Sequence, residues 1–324
     1  MGDADVDQQT GLVDLADDLA GDAHPGAQDS LQDGSHGAIV QDGRVRRGLV
    51  LGGGGITGIA WETGLLAGLA DAGVDLTSAD RVIGTSAGSI VGAQITSGTP
   101  LDELYRRQLL PPADDAPLAR IGGGVVLAFA MSMLRARGDL ERFGRVLGAR
   151  AVRAAAAGRT PSVADRYAQV RIRLIDTTWP ERDLVVTAVD VGTGELAAFR
   201  PGGDVGLEDA VNASCAVPCV YPPIPINGRT YVDGGARSGA NADLAAGCDR
   251  VVAITPLDRS VGPIRSASQQ LGDLGVPHLV ISPDDASRSA IGKNVLDPAA
   301  RPPSARAGYA QAAAYVDRVR ELWT

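Results

Sequence analysis

Short apolar runs along the chain predict buried strands, and the segments between them have the periodicity of helices. The predicted strands are Arg47–Leu51, Arg81–Ile83, Leu184–Val191, Arg229–Asp233, Arg250–Ile254 and Leu279–Ser282. The predicted helices are Ile59–Ala72, Ala87–Ile95, Leu207–Ala213 and Ala305–Trp323, the last with Ser304 as its N-cap. Strands that alternate with helices predict an α/β fold with a mainly parallel central sheet and helices on both faces.

The junction between the second strand and its helix carries the most informative sequence. Residues Gly84–Gly88 read Gly-Thr-Ser-Ala-Gly, which is the pattern of a nucleophile elbow when it lies between a strand and a helix. Gly84 and Gly88 permit a tight turn, and the positive end of the helix favours negative charge beside Ser86. The alternative is an ordinary turn in which the serine only caps the helix.

A glycine-rich loop follows the first strand. Gly53, Gly55 and Gly58 match the G-x-G-x-x-G dinucleotide pattern. That pattern also requires an acidic residue at the end of the second strand, which this chain lacks, and no Gly-Lys-Ser/Thr follows to make a P-loop. We therefore expect the amides of Gly53, Gly54 and Gly55 to form an oxyanion hole, with nucleotide binding as the alternative.

The strand Arg229–Asp233 delivers an aspartate into a turn formed by Gly234 and Gly235. Asp-Gly is a strong hairpin signal, so a plain hairpin is the simplest interpretation. However, the proline-rich segment Ala213–Ile224 comes just before this strand and indicates a rigid approach instead of a simple ladder. Asp233 is therefore a candidate functional residue.

Four motifs in this order resemble the patatin-like phospholipases: Gly53–Gly58, Gly84–Gly88, Ala213–Pro218 and Asp233–Gly235. The resemblance runs from about Arg47 to about Pro256. It implies a patatin-like three-layer fold, a Ser86–Asp233 catalytic dyad, an oxyanion hole from Gly53–Gly55, and acyl-ester hydrolysis on lipids. It also implies supporting roles for the motif glycines Gly58, Gly84, Gly88, Gly234 and Gly235. Thr57 departs from the family pattern, because many members have a basic residue there.

The three histidines test whether a triad is an alternative. His24 and His36 lie near the start of the chain, which leaves His278. The order Ser86, Asp233, His278 is that of an α/β-hydrolase triad. However, His278 begins a predicted strand, whereas Ser86 follows the end of one. In a parallel sheet these positions lie at opposite edges, roughly 16 Å apart. We therefore expect Asp233, not His278, to be the general base.

Charge divides the chain into two predicted parts. Residues 1–43 contain ten of the 39 acidic residues and no Lys, Arg or Glu, and we expect an acidic disordered tail there. The remaining residues, 44–324, have 30 basic and 29 acidic side chains, and they are expected to form one catalytic domain. A nearly neutral domain argues against a nucleic-acid partner, so the expected partner is a lipid or ester substrate, with transient contact at a membrane surface.

No basic segment followed by an apolar one suggests a secretory signal, and three cysteines fit a reducing compartment, so the expected location is the cytoplasm. The expected chemistry needs no cofactor, metal or nucleotide. The longest uncharged apolar run, Ile121–Leu134, is too short to span a membrane. It predicts a buried core helix or, alternatively, a lid or the wall of an acyl-chain pocket.

Overall fold

The computed structural model describes residues 44–111 and 122–324. The predicted tail, residues 1–43, lies outside the described residues, so this division of the chain stays a prediction. The strands are β1 Arg47–Leu51, β2 Arg81–Thr85, β3 Asp183–Asp190, β4 Leu196–Phe199, β5 Ile224–Ile226, β6 Arg229–Asp233, β7 Arg250–Ile254 and β8 His278–Ile281. The helices are α1 Gly55–Asp71, α2 Ala87–Thr96, α3 Leu101–Leu109, α4 Gly123–Ala136, α5 Leu140–Ala156, α6 Val163–Arg171, α7 Leu207–Ser214, α8 Ala267–Leu274, α9 Asp285–Ile291, α10 Arg301–Ala312 and α11 Val316–Trp323.

All eight of these strands belong to one sheet with the order β5-β6-β3-β2-β1-β7-β8, and β4 also pairs with β3. The run β3-β2-β1-β7-β8 is parallel, and β4, β5 and β6 add antiparallel pairs. Along β1, Leu49 and Leu51 pack into one apolar layer and Val50 packs into the other. Burial on both faces explains why the parallel strands are continuous apolar runs. The predicted α/β fold, with a mainly parallel sheet between helical layers, is confirmed.

The register on β3 shows how two strands come to share one of its edges. Strand β2 pairs with the first part of β3, up to Thr85 opposite Thr187. Strand β6 pairs with the last part of β3 in the opposite direction, starting with Asp233 opposite Ala188. Strand β4 pairs across both parts and therefore occupies the other edge. Strands β2 and β6 thus run toward each other along the same edge of β3, and their ends meet.

A two-residue hairpin turn sets the position of β6. Asn227 and Gly228 join β5 to β6, and both have positive φ, 49° and 77°. This is the conformation of a type I′ turn, and Asn-Gly is its favoured sequence. The hairpin therefore delivers β6 antiparallel to β3, as the pairing requires.

Two helices differ from their predicted bounds. Helix α1 begins at Gly55, inside the glycine-rich loop, instead of at Ile59. The predicted C-terminal helix is two helices, α10 and α11. Helix α10 begins with prolines in its first turn, where a proline costs nothing because that amide has no intrahelical partner. Ser304 is consequently inside α10, and its hydroxyl donates to the carbonyl of Ala300 at 2.7 Å instead of capping the helix.

The apolar run that ends at Leu134 forms α4, apart from Ile121, which lies outside the described residues. Only Ser132 and Ala136 of this helix are fully buried, so the predicted core helix is wrong. One side of α4 packs on α5, with the ring of Phe129 6.1 Å from that of Phe143. Within the described ranges, we find no helix with both the length and the apolarity needed to cross a bilayer.

Candidate active site

The turn between β2 and α2 holds Ser86 in a strained conformation. Its φ of 53° and ψ of −114° are unusual for a residue with a side chain. A Cβ atom at Gly84 would lie 2.5 Å from the carbonyl oxygen of Gly88, and one at Gly88 would collide with the backbone of Leu51. The two motif glycines are therefore required by close packing. The geometry is that of a strand-to-helix elbow with an outward-directed hydroxyl.

Asp233 is the last residue of β6 and is almost completely buried. Its carboxylate accepts a hydrogen bond from the N–H of Gly235 at 2.7 Å. The Ser86 hydroxyl lies near enough to this carboxyl to lower its pKa. Its own N–H donates to the carbonyl of Ala216 at 3.0 Å. A Cβ atom at Gly234 would collide with Thr187 of β3, so the turn after Asp233 is also fixed by packing.

Burial raises the pKa of the Asp233 carboxyl from its ordinary value of 3.8 to about 6. Desolvation is the main cause, because it disfavours the charged form. The nearby Ser86 hydroxyl, the hydrogen bond from the N–H of Gly235 and the positive charge of Arg166 act in the opposite direction. The carboxylate is therefore mostly ionised at neutral pH, but it is more basic than an exposed aspartate.

A buried amide network joins the ends of β2, β3 and β6. The hydroxyls of Thr85 and Thr187 lie 2.8 Å apart on neighbouring strands. The side-chain amide of Asn241 donates toward both hydroxyls, at 3.1 and 3.3 Å, and toward the carbonyl oxygen of Gly234 at 3.3 Å. Hence one residue holds the elbow strand and the turn after Asp233 in a common position. Buried networks of this kind specify geometry because every lost partner is costly.

The glycine-rich loop packs closely against the elbow. Gly88 of the elbow donates its N–H to the carbonyl of Gly52 at 2.9 Å. The N–H of Gly53 is already bonded to the carbonyl of Gly239 at 2.7 Å. The amides of Gly54 and Gly55 belong to the cap and first turn of α1, where N–H groups have no intrahelical acceptor. They are the members of this loop that are best suited to bind a negative charge.

Ser86 opens onto a small cavity of about 40 Å³. Most of its wall is apolar, from side chains such as Ile59, Val170 and Leu296. Two guanidinium groups, of Arg166 and Arg173, also line it. A volume of this size holds a few water molecules and no acyl chain, so a lipid substrate requires the wall to open. None of the residues that line it belongs to α4, so α4 is not a wall of this cavity.

Arg166 contributes a positive charge that lowers the pKa of Asp233. It lies on α6 and is 6% exposed. Its guanidinium donates to the carbonyl of Cys215 at 2.9 Å and stacks 3.8 Å from the ring centroid of Tyr221. Its Nε has no hydrogen-bond partner among the described residues. The Arg166 guanidinium in the wall of the Ser86 cavity therefore has an N–H that is still able to donate a hydrogen bond.

His278 lies far from the elbow. Through the pairings of the parallel strands, it is level with Val251, Gly48 and Arg81, at the N-terminal end of the sheet. Ser86 follows the opposite end of β2, about 16 Å further along and about 14 Å, or three strand spacings, to the side. His278 is also exposed. The geometry therefore offers no triad with this histidine.

Sequence reasoning missed three residues that shape this site. Arg166 and Asn241 lie in segments without a motif, so only the tertiary structure reveals them. Ser214 had a signal, since it belongs to the Ala-Ser-x-Ala-x-Pro sequence. Its hydroxyl accepts the N–H of Ser86 at 2.9 Å. Side chains from three separate regions therefore support the elbow and the turn after Asp233.

Strand, elbow and loop together define an α/β protein with a buried serine and carboxylate at the C-terminal edge of its parallel strands. The sequence profile described as "Patatin-like phospholipase" matches residues 49–246. This chain belongs to the patatin-like phospholipase family, which supports a lipid-hydrolase activity. A comparison with curated proteins found no match.

Among solved structures, VipD from Legionella pneumophila is similar, with 16% identity and a TM-score of 0.43, covering 85% of this chain and 67% of VipD. The type III effector protein ExoU is similar with 17% identity and a TM-score of 0.37, covering 85% of this chain. The match spans 53% of the ExoU chain, about half its length.

Proposed function

We propose that this protein is a serine acyl-ester hydrolase of lipids that works through a Ser86–Asp233 dyad. The observation that carries the proposal is the meeting of β2 and β6 along one edge of β3, which brings the ends of these strands together. The influence of the Ser86 hydroxyl on the pKa of Asp233 and the strained backbone of Ser86 support it. A nucleophile within reach of a base is the requirement for covalent acyl transfer.

In the proposed reaction, the Ser86 hydroxyl attacks the ester carbonyl while the Asp233 carboxylate accepts its proton. The amides of Gly54 and Gly55 stabilise the oxyanion of the tetrahedral intermediate. Gly53, whose amide is bonded to Gly239, positions the loop instead of donating to the substrate. Asp233 returns the proton to the departing alcohol, and water then hydrolyses the acyl-enzyme by the same steps.

Two alternatives from the sequence find no support in the geometry. The triad needs His278 beside Asp233, and the strand registers set them at opposite ends of the sheet. The nucleotide alternative needs open space above the glycine-rich loop. Pro256 and Val295 instead pack on it, since Cβ atoms at Gly54 and Gly55 would lie 2.6 Å from these residues. The remaining opening leads to the small Ser86 cavity.

The test is hydrolysis of a panel that contains a short soluble ester, a phospholipid and a triacylglycerol. Ser86→Ala and Asp233→Asn should each abolish hydrolysis of every substrate that the wild type cleaves. A drop of at least 10³-fold is expected for loss of a nucleophile or its base. His278→Ala is the matched control, because it removes the rival base and leaves the dyad intact. Activity that survives in folded Ser86→Ala contradicts the proposal.

A further inference from the structure

The surface beside α4 combines two features that are unusual on a soluble protein. The outward side of α4 presents Val126, Leu127 and Leu134, which are 59%, 61% and 72% exposed. Leu127 and Leu134 are seven residues apart and share one side of the helix, with Val126 next to Leu127, and the inward side of the same helix is apolar as well. A helix that is hydrophobic all round is normally buried. This helix therefore leaves an apolar face without a partner among the described residues.

A cleft of about 520 Å³ lies between this helix and α5. Arg150, Arg153 and Arg159 line it, together with Leu127 and Cys219. No acidic side chain is among the described residues that line the cleft. Burial raises the pKa of the Cys219 thiol, and the charges of all three guanidinium groups act on the same thiol in the opposite direction. The three positive groups therefore converge on one place.

Among the described residues, these arginines also have no counterion. Twelve ion pairs occur among the described residues, and none of them involves Arg150, Arg153 or Arg159. The Nε atom of Arg150 is buried and without a hydrogen-bond partner in the same set. Three converging cations with no ion pair among the described residues, in a domain whose net charge is close to zero, indicate a site for an external anion.

The cleft borders the Ser86 cavity. The turn from Val217 to Tyr221 separates them, with the N–H of Tyr221 donating to the carbonyl of Val217 at 2.9 Å. Val217 and Tyr221 line the Ser86 cavity, whereas Cys219, between them, lines the arginine cleft. A molecule whose anionic group sits in the cleft is therefore one turn of backbone away from the nucleophile.

We propose that α4 and the arginine cleft form the surface on which this protein docks to an anionic phospholipid bilayer. Headgroup phosphates bind Arg150, Arg153 and Arg159, while Leu127 and Leu134 enter the acyl region beneath them. Apolar and basic groups side by side match the chemistry of that boundary, which neither a soluble anion nor an uncharged bilayer does. The inference rests on the proposed function only in taking a lipid as substrate.

The test uses the full chain with Ser86→Ala, so that binding is measured without hydrolysis. Its probe is sedimentation with vesicles of two parts phosphatidylcholine to one part phosphatidylglycerol. Each basic residue at an anionic surface contributes about 5-fold to binding, so R153Q/R159Q should bind roughly 25-fold more weakly. R306Q/R318Q removes two exposed arginines from α10 and α11, and should change binding less than twofold. L127S/L134S should lose about 10-fold or more.

A matched set that carries the native Ser86 separates this inference from the proposed function. All of these surface variants should hydrolyse a short soluble ester as the wild type does, which also reports that they fold. Equal weakening by R153Q/R159Q and R306Q/R318Q, or no vesicle binding by the Ser86→Ala protein, overturns the inference. Equal binding to vesicles of phosphatidylcholine alone does so too. Vesicle binding without ester hydrolysis by the native chain overturns the proposed function instead.

Discussion

The raised pKa of Asp233 leads to a quantitative pH dependence. If Asp233 is the base, only its ionised form accepts the Ser86 proton, so kcat/KM follows the ionisation of that carboxyl in the free enzyme. The pKa is about 6 instead of 3.8, which corresponds to about 3 kcal/mol of differential stabilisation of the protonated form. We therefore expect activity to fall to about a tenth of its maximum one pH unit below that pKa.

The assay is hydrolysis of p-nitrophenyl butyrate, a substrate that does not titrate, followed at the isosbestic wavelength of the product. Arg166→Gln should move the midpoint to higher pH, because the charge of Arg166 lowers the pKa of Asp233. Arg173→Gln is the matched control. Arg173 lines the same cavity, but it is not among the groups that shift Asp233, so the midpoint should stay in place.

The same shift predicts a stability change of defined sign. Because the pKa is raised by folding, the folded state holds its proton over a range in which the unfolded chain has lost it. Asp233 therefore favours folding most below about pH 4 and progressively less as the pH rises through 6. Asp233→Asn should be inactive yet at least as stable as the wild type at neutral pH. For the pH dependence of kcat/KM, a midpoint near pH 4, as for an exposed aspartate, would refute the raised pKa of Asp233.

Three further predictions concern the elbow, the loop and the histidine. In urea titrations, the free energy of unfolding of Ser86→Gly should be about 1 kcal/mol higher than that of Ser86→Ala, because glycine relieves the strain of the positive φ at that position. Equal free energies of unfolding would contradict a strained elbow. Gly54→Ala should lower kcat on the order of 10²-fold, since its Cβ would lie 2.6 Å from Pro256 and displace the loop amides. Gly272→Ala, which meets open space, is the control and should leave kcat unchanged. His278→Ala should keep kcat/KM within twofold, and a loss comparable to that of Ser86→Ala would restore the triad.

Local sequence predicted those parts of the fold that local interactions determine. Strand β1 and strand β7 begin and end where their apolar runs do. The elbow at Ser86 was predictable because its motif is contiguous in the sequence, although Gly88 is required by contact with Leu51 of β1. The start of α1 was not, because a glycine run favours a loop and nothing nearby reveals that the helix already begins at Gly55. The Asn-Gly sequence before β6 is a local signal that predicts the two-residue hairpin turn.

Long-range packing determines the remainder of the site. The sequence order of Ser86 and Asp233 gives no hint that β6 continues the edge of β3 where β2 stops, since this depends on the register of three strands. Asn241 bridges these strands from a segment with no recognisable pattern. For α4, apolarity alone predicted burial, whereas its outward side chains are exposed. The amino-acid composition of a helix cannot show whether its apolar side chains are buried in the core or exposed on the surface.

Many members of the family have a basic residue where this chain has Thr57. Here a positive charge beside Ser86 comes from a different element of the fold. The Thr57 hydroxyl faces inward and hydrogen-bonds to the carbonyl oxygens of Gly54 and Val295, at 3.4 and 3.3 Å. A basic side chain there would lose both of those hydrogen bonds. Arg166 supplies a guanidinium to the same cavity from α6, held by a carbonyl and an aromatic ring. A positive charge beside Ser86 is thus present in this chain, but it comes from Arg166 on α6 and not from the glycine-rich loop.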